Sequence, residues 1–402
     1  MKILHTADWH IGKKLHKHDS SKDFELFINW LVELVKNQMV DVILVSGDIF
    51  DLANPSNESR SAYYKALLKL KQLDCKIILT GGNHDSPAVL NAPRDILLTM
   101  DIHVIGCMPD KLEDCLIPLK NTEGRIEVVV AALPYLRDPD LRKATEDFSY
   151  ESRVEAIRDG IERVFKNTAN CCKEIFPGLP AIAMGHLFAT GVSTSESERD
   201  IQIGNEASFD AVGFGDYFKY IALGHIHRPQ KVNALVPAYY SGSPLPLSFS
   251  ERDDKKRILI FDTEDFEAKS IEIPVFRQLK KLSGSLEELN TKLQSLQTAG
   301  NLTTLLELVL IEEQYNPGKI IDLDQLVQNF LREGFEIVKH RATFENRVQG
   351  VSQLFDSSHQ LKDLKPREVF EKRLEREDYD EETRKLVLEA FIEILEETEN
   401  LK

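Results

Sequence analysis

The chain has 402 residues with a formal net charge of -16, and 42% of its residues are hydrophobic while 29% are charged. This length exceeds one ordinary domain, and the composition is that of a folded globular protein rather than a disordered chain. The acidic balance disfavours a protein that coats DNA through bulk positive charge, but it leaves local DNA binding open.

The apolar runs are too short to cross a membrane. The longest, residues 128–133, falls far short of the roughly 18 residues that a spanning helix needs. The start of the chain lacks the apolar stretch of a signal peptide, and its five cysteines form no CxxC or metal-ligand pattern. We therefore expect a cytoplasmic protein with no membrane partner.

The first part of the chain alternates predicted strands and helices. Short β-branched runs predict strands at residues 2–7, 40–46 and 75–80. Between the first two, the three- and four-residue spacing of Phe24, Phe27 and Leu31 predicts an amphipathic helix. This βαβα order is typical of an α/β domain.

Further along, the predicted strands lie closer together. They occur near residues 126–133, 181–184, 220–223 and 257–261. Turn signals separate them, such as the Gly-Phe-Gly-Asp sequence at residues 213–216 and Ser-Gly-Ser-Pro at 241–244. We expect this part of the sheet to be mixed or antiparallel.

The pattern changes after Pro274. The residues that follow predict a small α/β unit, with helices near 285–296 and 322–333 and strands near 304–311 and 335–339. The charged tail beyond about residue 350 predicts two amphipathic helices. The chain thus divides into three predicted parts, residues 1–275, 276–345 and 346–402.

Short polar motifs stand directly after several predicted strands. They are Asp8-Trp9-His10, Gly47-Asp48-Ile49-Phe50-Asp51, Gly82-Asn83-His84-Asp85, Gly185-His186 and Gly224-His225-Ile226-His227. Because the carboxyl ends of parallel strands share one edge of a sheet, we expect these motifs to converge although they are far apart in sequence.

The side chains in these motifs indicate a metal centre. Carboxylate, carboxamide and imidazole groups suit Mn, Fe or Zn and disfavour a soft thiolate site. The set holds more ligands than one tetrahedral ion needs, and a carboxylate such as Asp48 can bridge two ions, so we predict a binuclear centre. Alone, each motif could equally be a turn, a helix cap or a structural histidine.

The ordered motifs DxH, GDxxD, GNHD, GH and GHxH resemble the calcineurin-like metallophosphoesterase superfamily. More narrowly, residues 4–12, residues 82–86, the unit after Pro274 and the helical tail resemble the SbcD family of nuclease subunits. The resemblance implies a four-layer αββα sandwich. It also implies that the small α/β unit is a capping domain for DNA binding, followed by a helical C-terminal tail.

Carried over position by position, the resemblance implies roles for single residues. Two divalent ions, with Mn²⁺ as the expected metal, would be held by Asp8, His10, Asp48 and His227 and by Asp48, Asn83, His186 and His225. His84 would be the catalytic histidine that faces the scissile phosphate. Asp85 is expected to orient a neighbour, with a structural turn as the alternative, and the role of Asp51 is left open.

The implied activity is metal-dependent hydrolysis of DNA phosphodiester bonds. The family combines 3'-5' double-strand exonuclease with single-strand and hairpin endonuclease activity in DNA repair, recombination and replication. Its implied partner is an SbcC-like ATPase bound by the C-terminal helices, with two nuclease subunits forming a homodimer within a heterotetramer.

Several assignments stay open from the sequence alone. Lys13, Lys14 and Lys17 in the loop after the first motif, with Arg60, are either phosphate contacts or solvated surface. A phosphomonoesterase or protein phosphatase could use the same site chemistry, although the second motif lacks a following Arg-Gly and the third ends in Asp85. A scaffold without metals is a third possibility. The remaining histidines are expected to be structural or solvated, namely His5, His103, His340 and His359.

Overall fold

A computed structural model describes residues 1–141, 150–199, 201, 208–297 and 302–344, together with 370, 374, 385–388, 390 and 391. His359 and nearly all of the predicted tail, residues 346–402, lie outside these described residues. The chain forms two compact units. The first comprises residues 1–282, 296–307 and 331–339, and the second comprises residues 283–295, 308–330 and 340–402. The three-part division at residues 275 and 345 stays a prediction.

The strands are β1 (Lys2–Thr6), β2 (Lys14–Leu15), β3 (His18–Asp19), β4 (Val42–Ser46), β5 (Lys76–Thr80), β6 (Ile102–Ile105), β7 (Leu116–Lys120), β8 (Ile126–Ala132), β9 (Ala181–His186), β10 (Tyr220–Gly224), β11 (Gln230–Val232), β12 (Ala238–Tyr240), β13 (Arg257–Asp262), β14 (Lys269–Glu272), β15 (Leu279–Gly284), β16 (Thr304–Glu312) and β17 (Phe335–Phe344). The helices are α1 (Ser21–Gln38), α2 (Asn57–Lys71), α3 (Pro87–Asn91), α4 (Arg94–Leu98), α5 (Asp138–Leu141), α6 (Tyr150–Ile175), α7 (Leu286–Gln294) and α8 (Pro317–Asn329).

The first six-stranded sheet has the order β14-β13-β1-β4-β5-β6. Strands β1, β4, β5 and β6 run parallel, and β13 joins β1 antiparallel. The predicted strands of the βαβα beginning are therefore confirmed. Helix α1 packs the predicted apolar side chains Phe24, Phe27 and Leu31 against this sheet.

The second six-stranded sheet has the order β11-β12-β10-β9-β8-β7. Its centre is parallel, from β8 through β9 and β10 to β12, and antiparallel pairs occur only at its two edges. The mixed sheet is as expected. The β8–β9 pair is parallel because the 26-residue helix α6 connects these two strands as a crossover.

The two sheets pack face to face with helices outside, which confirms the four-layer αββα sandwich. Strand β4 illustrates this packing, because its side chains alternate between two hydrophobic cores. Val42 and Leu44 face Val130 and Ile182 of the second sheet, while Ile43 and Val45 lie under the helices of the first. On the far side, α6 packs on the second sheet through residues such as Phe165.

The strands after residue 275 form a three-stranded sheet in the order β15-β16-β17. Helix α7 begins with a capping box in which Ser285 and Glu288 exchange side-chain and main-chain hydrogen bonds. Helix α8 begins five residues before the predicted start, because Asn316 caps it and Pro317 occupies its first turn. In the described part of the chain, no helix combines the length and apolar character needed to span a membrane.

Candidate metal centre

Neighbouring strands of both sheets bring the sequence motifs to one place. Asp8, Asp48 and Asn83 follow the adjacent strands β1, β4 and β5 of the first sheet. The histidine motifs end or follow the adjacent strands β9 and β10 of the second sheet. A hydrogen bond of 2.9 Å from the main-chain N of His225 to Asp8 Oδ1 joins the two sheets at this edge.

The backbone is strained at several of the predicted ligands. Asp8, His10, Asp48 and His225 all have positive φ angles, of 53°, 44°, 48° and 100°. Non-glycine residues rarely adopt this conformation, and it persists only where the surrounding structure enforces it, often at functional sites. The loops are thus shaped to hold particular side chains rather than to connect strands by the easiest path.

Glycine is required at two close approaches between the loops of the site, one between the two sheets and one within the first sheet. A Cβ atom on Gly224 would lie 1.7 Å from the main-chain oxygen of Ser46, and one on Gly82 would lie 2.1 Å from Asp48 Oδ1. Both distances are far below any van der Waals contact. These two motif glycines therefore allow the close packing of the loops that carry the charged side chains.

The first group of possible ligands combines Asp8, His10 and His227. One ligand atom from each lies within 4.8 Å of the other two, and all three side chains are buried. The Nε2 atoms of His10 and His227 are 3.2 Å apart, and His10 Nε2 is 3.5 Å from Asp48 Oδ2. Asp48 therefore borders this group.

The second group combines Asp48, His186 and His225, again with ligand atoms within 4.8 Å of one another. His186 Nε2 lies 3.4 Å from Asp48 Oδ2 and 2.9 Å from Asn83 Oδ1. His225 Nδ1 lies 3.1 Å from the same Asn83 oxygen. Asp48 belongs to this group and borders the first one, which is the position that a bridging carboxylate would occupy.

The protonation of the histidines shows that this cluster fits cations. His10 Nδ1 lies 3.2 Å from the Asp51 carboxylate and donates to it, and His227 Nδ1 donates to Ser197 Oγ at 2.5 Å. When both rings are neutral, as metal ligands are, both Nε2 atoms carry lone pairs directed towards the same space, where one cation could accept them. Asp8 Oδ2 is likewise buried, with no hydrogen-bond partner among the described residues.

Burial and neighbouring charges compete in setting the charge states of the group. Burial raises the pKa of Asp8 to about 7, and it lowers the pKa of His225 to about 3, with the charge of His186 adding to the effect. At Asp48, the neighbouring His186 and His10 outweigh burial and hold the pKa well below its usual range. Bound divalent ions favour ionised carboxylates and neutral imidazoles, which are the ligand forms.

His84 forms a third group of possible ligands with His10 and Asp48, next to the two groups described above. Its Nδ1 donates to the main-chain oxygen of Asp51 at 2.8 Å, which leaves Nε2 directed towards Asp48, 4.0 Å from Oδ2. Its ring packs edge-on against His10 with centroids 4.6 Å apart. Burial lowers the pKa of His84 to about 4, so the ring is neutral at pH 7 before a substrate binds.

Asp85 orients main chain rather than a side chain. Its carboxylate accepts hydrogen bonds from the main-chain N–H groups of Gly82, Ile49 and Phe50 at 2.9, 3.0 and 2.9 Å. These bonds join the loop that carries Asp48 to the loop that carries His84. Asp85 therefore occupies the structural turn position that the sequence left as an alternative.

Asp51, whose role the sequence left open, contacts two residues of the site. Its Oδ1 atom lies 3.2 Å from His10 Nδ1 and 3.2 Å from Lys13 Nζ, while its main-chain oxygen accepts from His84. Burial raises its pKa, but the hydrogen bond and charge of His10 outweigh this and bring it to about 2. Asp51 is therefore ionised and fixes the orientation of two imidazoles.

The proposed DNA contacts differ in their surroundings. Lys13 is paired with Asp51, and its side chain is only 22% exposed. Lys14 and Lys17 are exposed in and beside the short β2-β3 hairpin. Arg60 on α2 donates from Nη2 to Asn54 Oδ1 at 3.3 Å. The structure thus leaves the hairpin lysines as the more accessible cations.

Several residues around His227 carry no sequence motif. Ser197, Glu198, Glu251 and Lys256 form a buried polar network next to this histidine. The first two lie in the Ser/Glu-rich stretch 193–198, whose composition is that of an exposed loop. What distinguishes Ser197 and Glu198 from an ordinary exposed loop is their position next to the Glu251–Lys256 ion pair. The sequence does not show this contact.

Three histidines that were expected to be structural or solvated lie outside the cluster. His5 is buried between the sheets, with Nδ1 3.1 Å from Tyr220 Oη and Nε2 3.2 Å from the main-chain oxygen of Leu223. His103 lies 3.7 Å from Asp101, and His340 lies 2.8 Å from Asp324. The expectation of structural or solvated roles is confirmed for these three.

The fold and the His/Asp cluster agree with a family comparison. The sequence profile described as calcineurin-like phosphoesterase matches residues 1–229. The chain therefore belongs to the calcineurin-like phosphoesterase family, and its cluster is a site for divalent metal ions. It is a metal-dependent phosphoesterase. A second profile, SbcD_C, described as a type 5 capsule protein repressor C-terminal domain, matches residues 275–378.

Curated relatives extend the similarity beyond the first domain. The chain is 29% identical over 398 residues to the SbcD subunit of nuclease SbcCD from Escherichia coli strain K12, covering 97% of each chain. It is 37% identical over 262 residues to the protein of that name from Rhodobacter capsulatus, covering 62% of this chain and 64% of the relative. It is 32% identical over 267 residues to the Bacillus subtilis protein of that name, covering 66% of each. The chain is thus similar to nuclease subunits along almost its whole length.

Proposed function

We propose that this phosphoesterase is a DNA nuclease subunit. It hydrolyses phosphodiester bonds as a 3'-5' double-strand exonuclease and as a single-strand and hairpin endonuclease, and it acts in DNA repair, recombination and replication. The observation that carries the proposal is the pair of buried ligand groups on either side of Asp48, in a chain that is similar over almost its whole length to the SbcD subunit of nuclease SbcCD.

The metal assignment follows the two ligand groups. Asp8, His10, Asp48 and His227 hold one ion, and Asp48, Asn83, His186 and His225 hold the other. All donors are oxygen or nitrogen, which suits Mn²⁺. When bound, two such ions supply a hydroxide near neutral pH and neutralise charge that develops on the phosphate.

His84 is proposed as the catalytic histidine. The Asp51 carbonyl fixes its Nδ1–H, so Nε2 is the atom that faces the substrate. Burial favours the neutral ring, whereas an anionic phosphate placed beside it favours the imidazolium. In that form Nε2 donates a hydrogen bond, and then a proton, to the departing oxygen.

The assembly and location belong to the same proposal. An SbcC-like ATPase binds the C-terminal helices of residues 346–402, and two nuclease subunits form a homodimer within a heterotetramer in the cytoplasm. The SbcD_C match across residues 275–378 and the SbcD relatives support an SbcC-like partner. Lys13, Lys14, Lys17 and Arg60 are the proposed phosphate contacts, and residues 276–345 are the proposed capping domain for DNA binding.

One assay tests the activity against its alternatives. The full chain is incubated with a blunt duplex, a DNA hairpin and a generic phosphomonoester, each with Mn²⁺ and with a chelator. We expect Mn²⁺-dependent cleavage of both DNA substrates, and its loss in His84→Ala. Hydrolysis of the phosphomonoester alone would contradict a nuclease, and DNA cleavage that survives the chelator would contradict a metal-dependent one.

A further inference from the structure

A buried ion pair lies behind His227, on the side away from the ligand cluster. Lys256 Nζ is 2.5 Å from Glu251 Oε2, and it also donates to Ser243 Oγ and to the main-chain oxygen of His227, both at 2.9 Å. Glu251 is fully buried and Lys256 is 5% exposed. Removing two charges from water is costly, and such pairs add little stability over apolar packing. Their presence therefore calls for another explanation.

The ion pair is connected to the His227 side chain through one hydroxyl group. Ser197 Oγ lies 2.5 Å from His227 Nδ1 and is also hydrogen-bonded to Glu251 Oε1. An ionised carboxylate can only accept, so the Ser197 hydroxyl donates to Glu251. The same oxygen must then accept from His227 Nδ1–H, which leaves the lone pair of Nε2 directed into the ligand cluster.

Further contacts fix the main chain of the same histidine. The main-chain N of His227 donates to Glu198 Oε1 at 3.0 Å. With the Lys256 contact to its carbonyl oxygen, His227 is held at its N–H, its C=O and its ring nitrogen. His186 differs, because its Nδ1 lies 3.0 Å from the main-chain oxygen of Ser46. The polar network thus acts on His227, whereas the backbone of a strand orients His186.

The alternative is that these residues only anchor the loop of residues 193–199. Ser195 Oγ contacts both Glu198 and Glu251, and the main-chain N of Glu196 donates to Ser250 Oγ at 3.0 Å. If these residues only anchor the loop, loss of any one of these hydrogen bonds should have the same effect on metal binding. If Ser197 positions His227, loss of the Ser197 hydroxyl should have the largest effect, and it should weaken only the binding of the ion that His227 binds.

We propose that Ser197, held by the Glu251–Lys256 ion pair, is a positioning residue that sets the tautomer and orientation of His227. It thereby tunes the affinity of the ion site formed with Asp8 and His10, and leaves the other ion site unchanged. This inference rests on the two-ion assignment of the proposed function.

The test measures metal binding rather than activity. Metal-free full-length protein is titrated with Mn²⁺, and free Mn²⁺ is followed by its electron paramagnetic resonance signal. We expect Ser197→Ala to weaken one of two binding steps by about 10- to 100-fold, the range typical of residues that orient a metal ligand. Ser197→Thr keeps the hydroxyl and is expected to restore the wild-type affinity.

Two backgrounds assign the weakened step. In His225→Ala, where the site with Asp8 and His10 remains, adding Ser197→Ala should weaken the remaining Mn²⁺ binding. In His10→Ala, where the site with His186 remains, adding Ser197→Ala should change nothing. Ser250→Ala is the matched control, because its hydroxyl holds the same loop through the main-chain N of Glu196 rather than through His227.

The outcomes separate this inference from the proposed function. Equal Mn²⁺ affinities in the wild type and Ser197→Ala overturn the inference alone, as does an equal loss at both sites or the same loss in Ser250→Ala. A wild-type chain that binds no Mn²⁺ overturns the two-ion assignment itself. Ser197→Ala leaves the buried ion pair intact, so a thermal unfolding midpoint close to that of the wild type is expected.

Discussion

The main-chain oxygen of Asp51 accepts a 2.8 Å hydrogen bond from Nδ1 of His84, while the carboxylate of the same residue accepts from Nδ1 of His10. A carbonyl and an ionised carboxylate can only accept, so both histidines present their Nε2 atoms to the cluster. One residue therefore sets the orientation of a proposed ligand and of the proposed catalytic histidine. Only the contact with His10 uses the Asp51 side chain, so mutation can separate the two.

Asp51→Ala is expected to weaken metal binding without removing catalysis. The variant loses the acceptor for His10 and the partner of Lys13, but it keeps the carbonyl that holds His84. We expect the Mn²⁺ affinity to fall by about tenfold or more, and DNA cleavage to recover at saturating Mn²⁺. Asp51→Asn retains an acceptor oxygen and serves as the control. A defect that excess Mn²⁺ does not correct would contradict this role.

His84→Ala is expected to show the opposite behaviour. Removing a positioned acid or base lowers the rate of the chemical step by about 10²- to 10⁴-fold. Mn²⁺ binding should stay at the wild-type level, because the proposed ligands remain and the Asp51 carboxylate still holds His10. Single-turnover DNA cleavage and the Mn²⁺ titration are measured on one preparation. Equal losses in both measurements would place His84 among the ligands.

Asp85→Asn is expected to destabilise the protein. An amide presents one acceptor oxygen and one NH₂ group, so it cannot accept from all three main-chain N–H groups that the carboxylate holds. Each buried N–H left without a partner costs about 1–3 kcal/mol. Urea unfolding of the metal-free protein measures this loss. Ser86→Ala is a control in the neighbouring position, and unchanged stability of Asp85→Asn would be inconsistent with the loop-joining role.

His5 is expected to make stability depend on pH. Burial lowers its pKa in the folded protein to about 3, compared with 6.5 for an ordinary histidine. The unfolded chain therefore takes up a proton below pH 6.5 that the folded chain does not, and stability is lost as the pH falls from there. The contribution is about 1.4 kcal/mol for each pH unit below 6.5.

The variant His5→Gln isolates this contribution, because other titrating groups cancel in the comparison. The difference in unfolding free energy between the wild type and His5→Gln is measured at about pH 7.5 and about pH 5.5. We expect the wild type to lose about 1.4 kcal/mol relative to the variant at the lower pH. A difference that does not change with pH would mean that the pKa of His5 is the same in the folded and unfolded chain, and would contradict the lowered pKa.

The hairpin lysines are expected to affect DNA binding separately from metal binding. Lys14→Glu combined with Lys17→Glu should weaken DNA binding and reduce its salt dependence, because each lost phosphate contact lowers the salt slope by about one. Lys13→Glu differs, because it also places a carboxylate beside Asp51, and it should impair Mn²⁺ binding as well. An unchanged salt slope in the double variant would remove the hairpin from the DNA-binding surface.

How much of the structure could be predicted depends on whether a feature is set by neighbouring residues in the sequence or by contacts between distant segments. Strands, the helix α1 and the convergence of the motifs depend on local periodicity and on the shared edge of parallel strands, so they could be predicted. The contacts of Asp51 and Ser197 could not, because they depend on which loop crosses another in space. Glu251 and Lys256 are only five residues apart, yet nothing in their sequence distinguishes a buried pair from two surface charges.

The required glycine at position 224, packed against the oxygen of Ser46, marks where the second sheet joins the first. Asp8, Asp48 and Asn83 belong to one sheet, and the three histidines 186, 225 and 227 belong to the other. Neither sheet alone carries all the proposed ligands of either ion. The cluster cannot exist until both halves of the sandwich have folded and docked, so Mn²⁺ binding during refolding reports the completion of the domain.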